Sequence, residues 1–190
     1  MTIGIVGGSG DFGQGLAARF RVLGEDFVVG SRNPRGDFLA NGDASRRSEV
    51  VFLCVPPDGV EEMVSGLAEP LAGRIVVSVA SGLRLREGPS LAEVTAKAAP
   101  EARVVAGFHT VSAKLLQNPE VPLDEDVLIC GDDDEAKERV GAIAERIVAG
   151  RAVDCGALTT SRRLESLTGL LIAVNRRYKT NAGVRVTGLP

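Results

Sequence analysis

A glycine-rich stretch near the start of the chain constrains the fold more than any other feature. Residues 7–15 read GGSGDFGQG and follow an apolar run that opens at Ile3. Gly8, Gly10 and Gly13 have the G-x-G-x-x-G spacing that joins a strand to a helix in dinucleotide-binding folds. In that role Gly8 permits a tight turn, Gly10 leaves room for a pyrophosphate, and Gly13 lets helix and strand pack closely.

The same spacing also occurs in structural glycine turns, so its context matters. Here the motif follows a strand-like run, opens a helix-like segment and precedes a second strand about 20 residues later. The N–H groups at a helix N-terminus bind phosphate, and a serine hydroxyl in the turn adds a further donor. We therefore predict that the turn holds a dinucleotide through Gly8, Ser9, Gly10, Asp11, Phe12 and Gly13.

The end of the second predicted strand indicates which dinucleotide binds. Enzymes that use NAD usually place Asp or Glu there, to accept from the ribose 2′-hydroxyl. The segment VVGSRNPR has no carboxylate and offers Ser31, Arg32, Asn33 and Arg35. A guanidinium with short polar neighbours suits a 2′-phosphate, because charge-assisted hydrogen bonds to an anion are strong. The sequence predicts NADP, while a solvated Asn-Pro turn is the alternative explanation.

The rest of the chain alternates between strand-like and helix-like segments. Continuous apolar runs are typical of parallel strands that are covered on both faces. Alternation of the two types predicts an α/β, Rossmann-like, doubly wound and mostly parallel sheet. The predicted strands are 2–8, 26–32, 49–57, 73–82, 102–110 and 125–133, and the predicted helices are 13–24, 58–71, 91–99 and 134–150.

The last 40 residues differ from this pattern. Residues 161–179 carry apolar side chains at helical spacing and end in Arg176, Arg177 and Lys179, where cations suit the helix dipole. We expect residues 1–150 to form the NADP-binding domain. Residues 151–190 are expected to form a small helical extension that packs on the sheet or on a second subunit, which favours a homodimer or higher homo-oligomer.

Composition excludes several classes of function. No apolar stretch reaches the roughly 18 residues of a membrane span, and the N-terminus lacks a signal layout. The net charge of −3, with no basic stripe, argues against nucleic acid. The three cysteines are widely separated, so we expect a cytoplasmic protein that binds small molecules. The acidic run 132–134 is interpreted as a helix cap, and no metal site is expected.

Five segments together resemble the NADPH-dependent reductases of coenzyme F420, also called F420:NADP oxidoreductases. They are GIVGGSGDFGQGLAARF, VVGSRNP, VVAGFHTVSA, ICGDDDEAKERV and SRRLESLTGLLIAVNRRYKTNAGVRVTGLP. The first two are also shared with the cytoplasmic domain of the STEAP metalloreductases. The resemblance implies reversible hydride transfer between the nicotinamide of NADP and the deazaflavin ring of F420, in a small homo-oligomeric Rossmann protein.

The resemblance also implies a second site at the end of the fifth long strand. It places the loop with His109, Thr110, Val111 and Ala113 beside the deazaflavin, and His109 is the candidate donor in that pocket. Alternatively, this histidine bonds only a backbone carbonyl. The rigid CVPP loop suits the nicotinamide–ribose side of NADP, although the prolines also end the strand. These predictions add Cys54, Val55, Pro56 and Ala80 to the cofactor-binding residues.

Other features of the sequence leave alternatives open. Arg84, Arg86 and Lys114 are candidates for contact with the anionic tail of F420, or are surface charges. The C-terminal NAGVRVTGL is a candidate cover for the deazaflavin. The polar connection 33–49 is shorter than the resemblance implies, which puts the wall beside the adenosine in doubt. A flavin reductase and a non-catalytic NADP-binding regulatory module are the alternative functions.

Overall fold

The strand-like runs of the sequence pair into one eight-stranded sheet in the computed structural model, which describes residues 1–82 and 88–189. The strands are β1 (Ile3–Val6), β2 (Phe27–Ser31), β3 (Leu39–Ala40), β4 (Val50–Leu53), β5 (Ile75–Ser78), β6 (Arg103–Gly107), β7 (Val127–Gly131) and β8 (Ala152–Asp154). The helices are α1 (Asp11–Leu23), α2 (Asn41–Arg46), α3 (Val60–Gly66), α4 (Ala68–Leu71), α5 (Leu91–Ala98), α6 (Ala113–Leu116), α7 (Asp134–Ile147) and α8 (Ser161–Tyr178).

The strand order is β3-β2-β1-β4-β5-β6-β7-β8, and neighbours are parallel except for β6 and β7. The predicted doubly wound, mostly parallel sheet is therefore confirmed. The reversal of β7 has a local cause. A parallel neighbour needs a crossover, usually a helix, whereas α6 is four residues long and packs against α1. The chain therefore re-enters the sheet at the end where β6 left it.

The side chains of alternate strand residues belong to two hydrophobic clusters, one on each face of the sheet. Val50 and Phe52 of β4 belong to the cluster under α1 and α7. Val51 and Leu53 belong to the cluster under α3 and α5. All four are essentially inaccessible to solvent, and each buried side chain of this size contributes about 1.5–3 kcal/mol to folding. Burial on both faces explains why the strands have no polar alternation.

The polar connection after β2 is more ordered than its sequence suggests. Leu39–Ala40 pair with β2, and α2 follows directly. A Cβ atom at Gly30 would lie 2.8 Å from the Asn41 Oδ1 and 3.0 Å from the Ala44 Cβ. Because glycine leaves this space empty, a short polar helix packs directly on the sheet.

The predicted helix 58–71 is broken in the structure. A 3-10 turn at Pro57–Gly59 precedes α3, and α4 begins only after Leu67. Pro70 accounts for the break, since its ring would clash with the carbonyl four residues earlier in a continuous helix. By contrast, α7 has the predicted acidic cap: Asp133 accepts a hydrogen bond from the Ala136 amide at 2.8 Å.

The C-terminal part of the chain returns to the sheet before its helix begins. β8 was not predicted, and it pairs with β7 in parallel. After α8, a C-terminal strap of residues 181–189 runs along the start of β7. There the Asp126 amide donates to the Val184 carbonyl at 2.7 Å, and the Val186 amide donates to the Asp126 Oδ2 at 2.8 Å. Among the described helices, none has the length and apolar character that a bilayer crossing needs.

Candidate functional site

A cavity of about 930 Å³ opens at the carboxyl ends of β1 and β4. The strand order reverses between these two strands, and ligands of doubly wound sheets bind at such a point. The structure brings twelve of the predicted site residues together around this cavity. They are Ser9, Gly10, Asp11, Phe12, Gly13, Ser31, Arg32, Asn33, Cys54, Val55, Pro56 and Ala80.

The glycine turn between β1 and α1 differs in one respect from its predicted form. The residue with left-handed backbone is Gly7, at φ 70°, rather than Gly8. A Cβ atom at Gly7 would also lie 2.7 Å from the carbonyl oxygen of Cys54. Gly8 instead packs against β2, so it does not line the cavity. The prediction for Gly13 is confirmed, because a Cβ atom there would lie 2.5 Å from the Gly8 Cα.

The start of α1 is suited to an anion. Its N-cap is Gly10, which has no side chain to satisfy the first amides, and the Gln14 amide donates to the Gly10 carbonyl at 2.9 Å. The N–H groups of the first turn therefore lack intrahelical acceptors, and the helix dipole adds partial positive charge there. The side-chain amide of Gln14 donates to the Ser9 carbonyl at 2.7 Å and steadies the turn.

The end of β2 supplies basic and hydroxyl groups. The Ser31 side chain is buried, and its Oγ accepts from the Asn33 amide at 3.2 Å. The exposed Arg32 lines the cavity, whereas Arg35 does not. Neither guanidinium forms an ion pair with any residue that the structure describes. Arg32 is thus available to an anionic ligand.

The cavity wall that the sequence left in doubt is built by α2 and α3. Its key polar residue is Asn41, whose Oδ1 accepts from the Gly7 amide and whose Nδ2 contacts the Met63 Sδ. The α3 residues recur at helical spacing after the CVPP loop, a signal that could have identified them. Sequence reasoning missed Gly7, Asn41, Asp58, Gly59, Glu62, Met63, Gly66, Leu67 and Val79 among the lining residues.

The cysteine in the CVPP loop is not an activated nucleophile. Burial raises the pKa of the Cys54 thiol well above its usual range. A protonated thiol is a poor nucleophile. Cys54 therefore contributes to the shape of the cavity, where its carbonyl lies against the glycine turn.

His109 lies at the end of β6, beside the cavity rather than on its wall. It is connected to the cavity-lining strand end through Ser81, which follows Ala80. The His109 Nδ1 lies 3.1 Å from the Ser81 Oγ, and that oxygen lies 3.0 Å from the Thr168 Oγ1 of α8. The Thr168 hydroxyl donates to the His109 backbone carbonyl at 2.9 Å.

All three contacts can be hydrogen bonds at the same time only if the protons are arranged in one particular way. Since Thr168 donates to the carbonyl, Ser81 must donate to Thr168, and the His109 Nδ1–H must donate to Ser81. The Nε2 then carries a lone pair, and this buried atom has no hydrogen-bond partner among the described residues. Burial lowers the pKa of His109 to about 4, and the Val79 carbonyl offsets this only in part. In this arrangement the ring N–H of His109 is directed at Ser81, and its role as a pocket donor stays a prediction.

The backbone next to this histidine is strained. Phe108 has φ 64°, a region that bulky residues seldom adopt and that costs of order 1–3 kcal/mol. Its ring is buried and packs edge-on against Phe52 at 5.4 Å between centroids. Strain of this kind concentrates at functional loops, and here it sets the direction in which His109 leaves the sheet.

The remaining predicted residues lie outside the cavity. Thr110 and Val111 are buried in the loop, and Ala113 begins α6, which also carries the exposed Lys114. Arg84 and Arg86 lie outside the described residues. In the C-terminal strap, Asn181 accepts a 3.4 Å hydrogen bond from the Ser112 hydroxyl of the loop, whereas Val184 and Val186 bond Asp126, the residue before β7.

The fold and this crevice define a class of protein. The order β2-β1-β4-β5-β6, the glycine turn and the crevice at the reversal of strand order are those of a Rossmann-type dinucleotide-binding protein. Residues 2–82 match the family model described as NADP oxidoreductase coenzyme F420-dependent. An F420-dependent NADP reductase from Methanocaldococcus jannaschii is 35% identical over an alignment of 222 positions including gaps, which covers 100% of this chain and 99% of the relative. The chain belongs to the F420-dependent NADP reductase family.

Two further comparisons show how far the likeness extends. A crystal structure from Arthrobacter sp. FB24, described as that of a putative F420-dependent NADP reductase, superposes with a TM-score of 0.87 at 25% identity, covering 99% of this chain and 100% of that one. Metalloreductase STEAP3 of Rattus norvegicus is 36% identical over 177 residues, covering 87% of this chain but only 36% of the relative. The likeness to the metalloreductase is thus confined to about a third of that protein.

Proposed function

We propose that this protein is an oxidoreductase that transfers a hydride reversibly between NADP(H) and the deazaflavin coenzyme F420. Membership of the family carries the proposal, since relatives over the whole length are F420-dependent NADP reductases. The end of β2 supports the first coenzyme, because it presents Ser31, Arg32 and Asn33 to the cavity without a carboxylate.

The residues around the crevice fit NADP. The turn at 7–13 and the uncapped start of α1 would hold the pyrophosphate, and Arg32 with Ser31 and Asn33 would hold the 2′-phosphate. Val55 and Pro56 would border the nicotinamide ribose. When bound, NADP supplies the nicotinamide that gives or takes the hydride, and the protein supplies orientation and exclusion of water.

The second ring is proposed to bind next to the end of β5, near Ala80, Ser81 and the 109–113 loop. His109 is neutral at pH 7 and is held by Ser81 and Thr168, so it contributes shape and a fixed acceptor rather than a charge. The hydride passes directly between the two stacked rings, and the proton that completes the reduced deazaflavin comes from solvent, so no protein group has to transfer it. The role of this loop is therefore to position and shield the rings.

One mixing experiment tests the proposed function. The purified protein is combined with NADPH and either F420 or FMN, and visible absorbance is followed. Loss of the F420 absorbance band is the expected result. Reduction of FMN alone would replace the proposal with a flavin reductase, and tight NADPH binding without reduction of either would indicate a regulatory module.

We also propose how the chain is organised and where it works. Residues 1–150 form the NADP-binding domain, and 151–190 complete the second-ring pocket, a role supported by Thr168 on α8. Several apolar residues of α8 remain half-exposed or exposed, Leu170 among them, which supports a homodimer. The three cysteines are free thiols, which supports a cytoplasmic location.

A further inference from the structure

We propose that Asn41 is a positioning residue for NADP, holding the glycine turn and the adenosine wall in register. The inference rests on the proposed NADP site and assigns a role to a residue of the shortened connection. Asn41 begins α2, is 8% exposed and lines the cavity. It is therefore a buried polar side chain at the ligand site.

The side-chain amide of Asn41 bridges two walls of the cavity. Its Oδ1 accepts from the amide of Gly7 at 3.3 Å, and its Nδ2 donates to the Met63 Sδ of α3 at 3.4 Å. Gly7 is the left-handed residue of the phosphate-binding turn. One amide thus connects the turn beside the pyrophosphate to the helix that forms the opposite wall.

The chemistry of these partners requires asparagine in one orientation. The Gly7 amide is a donor only, and the thioether sulfur of Met63 is a weak acceptor only. If the amide were flipped, its NH₂ group would face the Gly7 N–H and two donors would meet. Aspartate would retain an acceptor for Gly7, but it would lose the contact with Met63 and add a negative charge near a bound pyrophosphate.

The backbone of Asn41 is itself anchored to the sheet. Gly30 of β2 leaves the space that Asn41 fills, whereas the Ser45 Oγ donates to the Asn41 carbonyl at 2.9 Å within α2 itself. Helix α2 is only six residues long, so it has little stability of its own and depends on its packing against β2 at Gly30. The short connection therefore supplies an adenosine wall through one well-held side chain.

Three variants test this role: Asn41→Ala, Asn41→Asp and Ser45→Ala. Ser45→Ala is the matched control, because it removes the hydrogen bond to the Asn41 backbone carbonyl within α2 but leaves the Asn41 side-chain amide, Gly7 and the cavity lining unchanged. NADP affinity is measured by calorimetry, and hydrogen exchange at the Gly7 amide is measured by NMR without ligand. The second readout reports the contact itself and does not depend on turnover.

We expect Asn41→Ala to weaken NADP binding about tenfold and to speed exchange at the Gly7 amide. Asn41→Asp should keep that amide protected and weaken binding at least as much, through repulsion of the pyrophosphate. Ser45→Ala should stay within about twofold of the unmodified protein in affinity, with Gly7 protected.

The inference is overturned if Asn41→Ala binds NADP within about twofold of the unmodified protein, or if Ser45→Ala loses as much affinity. It is also overturned if Asn41→Ala leaves the Gly7 amide as protected as before. An unmodified protein that does not bind NADP at all would instead refute the proposed function, so the two failures are distinguishable.

Discussion

His109 and Glu125 are both almost fully buried, with 7% and 4% of their surface exposed, and burial shifts their pKa values in opposite directions. For His109 the folded pKa is about 4, below its unfolded value of about 6.5. Only the unfolded chain gains a proton as pH falls through that interval. The contribution of the neutral, buried His109 to stability is therefore present above pH 6.5 and is lost as pH falls towards 4.

The hydrogen-bond chain from Thr168 to His109 predicts one tautomer. His109 is the only histidine in the chain, so its imidazole signals in ¹⁵N NMR are unambiguous. We expect the Nδ1–H form at pH 7, and a shift towards Nε2–H in Ser81→Ala, because the acceptor for Nδ1–H is removed.

The control for this experiment lies on α8. Ser166→Ala removes a hydroxyl that bonds only its own helix, at the Arg162 carbonyl. It should leave the tautomer unchanged. An Nε2–H form in the unmodified protein would show that the proton directions are reversed.

Replacing the buried Glu125 by a neutral residue is expected to raise the stability of the protein, by an amount that depends on pH. Burial raises its pKa to about 7, against an unfolded value of about 4.5, while the charge of Arg19 acts in the opposite direction. The folded state keeps a proton that the unfolded state releases, so ionisation costs stability as pH rises from 4.5 to 7. We expect Glu125→Gln to unfold like the unmodified protein near pH 4.5 and to be about 3 kcal/mol more stable at pH 8.

Chemical denaturation at the two pH values measures this difference. Glu120→Gln removes an exposed carboxylate nearby along the chain and controls for the loss of one negative charge. Equal gains in both variants would assign the effect to net charge rather than to the buried Glu125.

At the scale of secondary-structure elements, α8 is anchored to the start of α5 by polar contacts. The buried Glu165 accepts from the amides of Leu91 at 2.7 Å and Ala92 at 3.3 Å. The Ser90 and Ser161 hydroxyls lie 2.6 Å apart. A carboxylate at a helix N-terminus satisfies free N–H groups and complements the dipole. This contact sets the position of α8, and with it the Thr168 hydroxyl.

We expect substitution of the buried Glu165 to lower stability more than substitution of the exposed Arg162 on the same helix. Glu165→Ala leaves buried amides without that acceptor, so we expect it to lower the free energy of unfolding by about 2 kcal/mol. Arg162→Ala breaks the Arg162–Glu93 ion pair on the exposed side of the helix and should cost at most about 1 kcal/mol. Urea denaturation compares the two, and an equal loss would contradict the anchoring role of Glu165.

For the whole molecule, the exposed part of α8 predicts self-association. Leu170 on α8 and Val22 on α1 have nearly equal exposure, 61% and 63%. If α8 forms the dimer interface, Leu170→Glu should yield folded monomers, because a charge buried without a partner is costly. Val22→Glu should remain dimeric. Sedimentation velocity distinguishes the two, and a monomeric unmodified protein would refute the homodimer.

Much of the architecture follows from short segments. The apolar runs identified six of the eight strands, and the capping Asp133 and the helix 161–178 lie where the sequence predicted them. The two missed strands, β3 and β8, have two and three residues, too few to show a period. The break at Pro70 was missed although the proline is a local signal for it. The reversal of β7 was missed because it depends on the length and packing of a connection.

The candidate site likewise has one part that the sequence predicted and another part that only the folded structure shows. The turn at 7–13 and the polar end of β2 are contiguous in sequence, so their types and spacing alone predicted a site for a phosphorylated dinucleotide. The contacts of Asn41 with Gly7 and of Ser81 with Thr168 join residues 34 and 87 positions apart. Such contacts exist only once both faces of the sheet are packed, because helix packing brings these side chains within hydrogen-bonding distance. The local amino-acid sequence therefore determined the strand–turn–helix unit and the class of ligand that this unit binds. Tertiary packing decided which polar groups hold the unit in place.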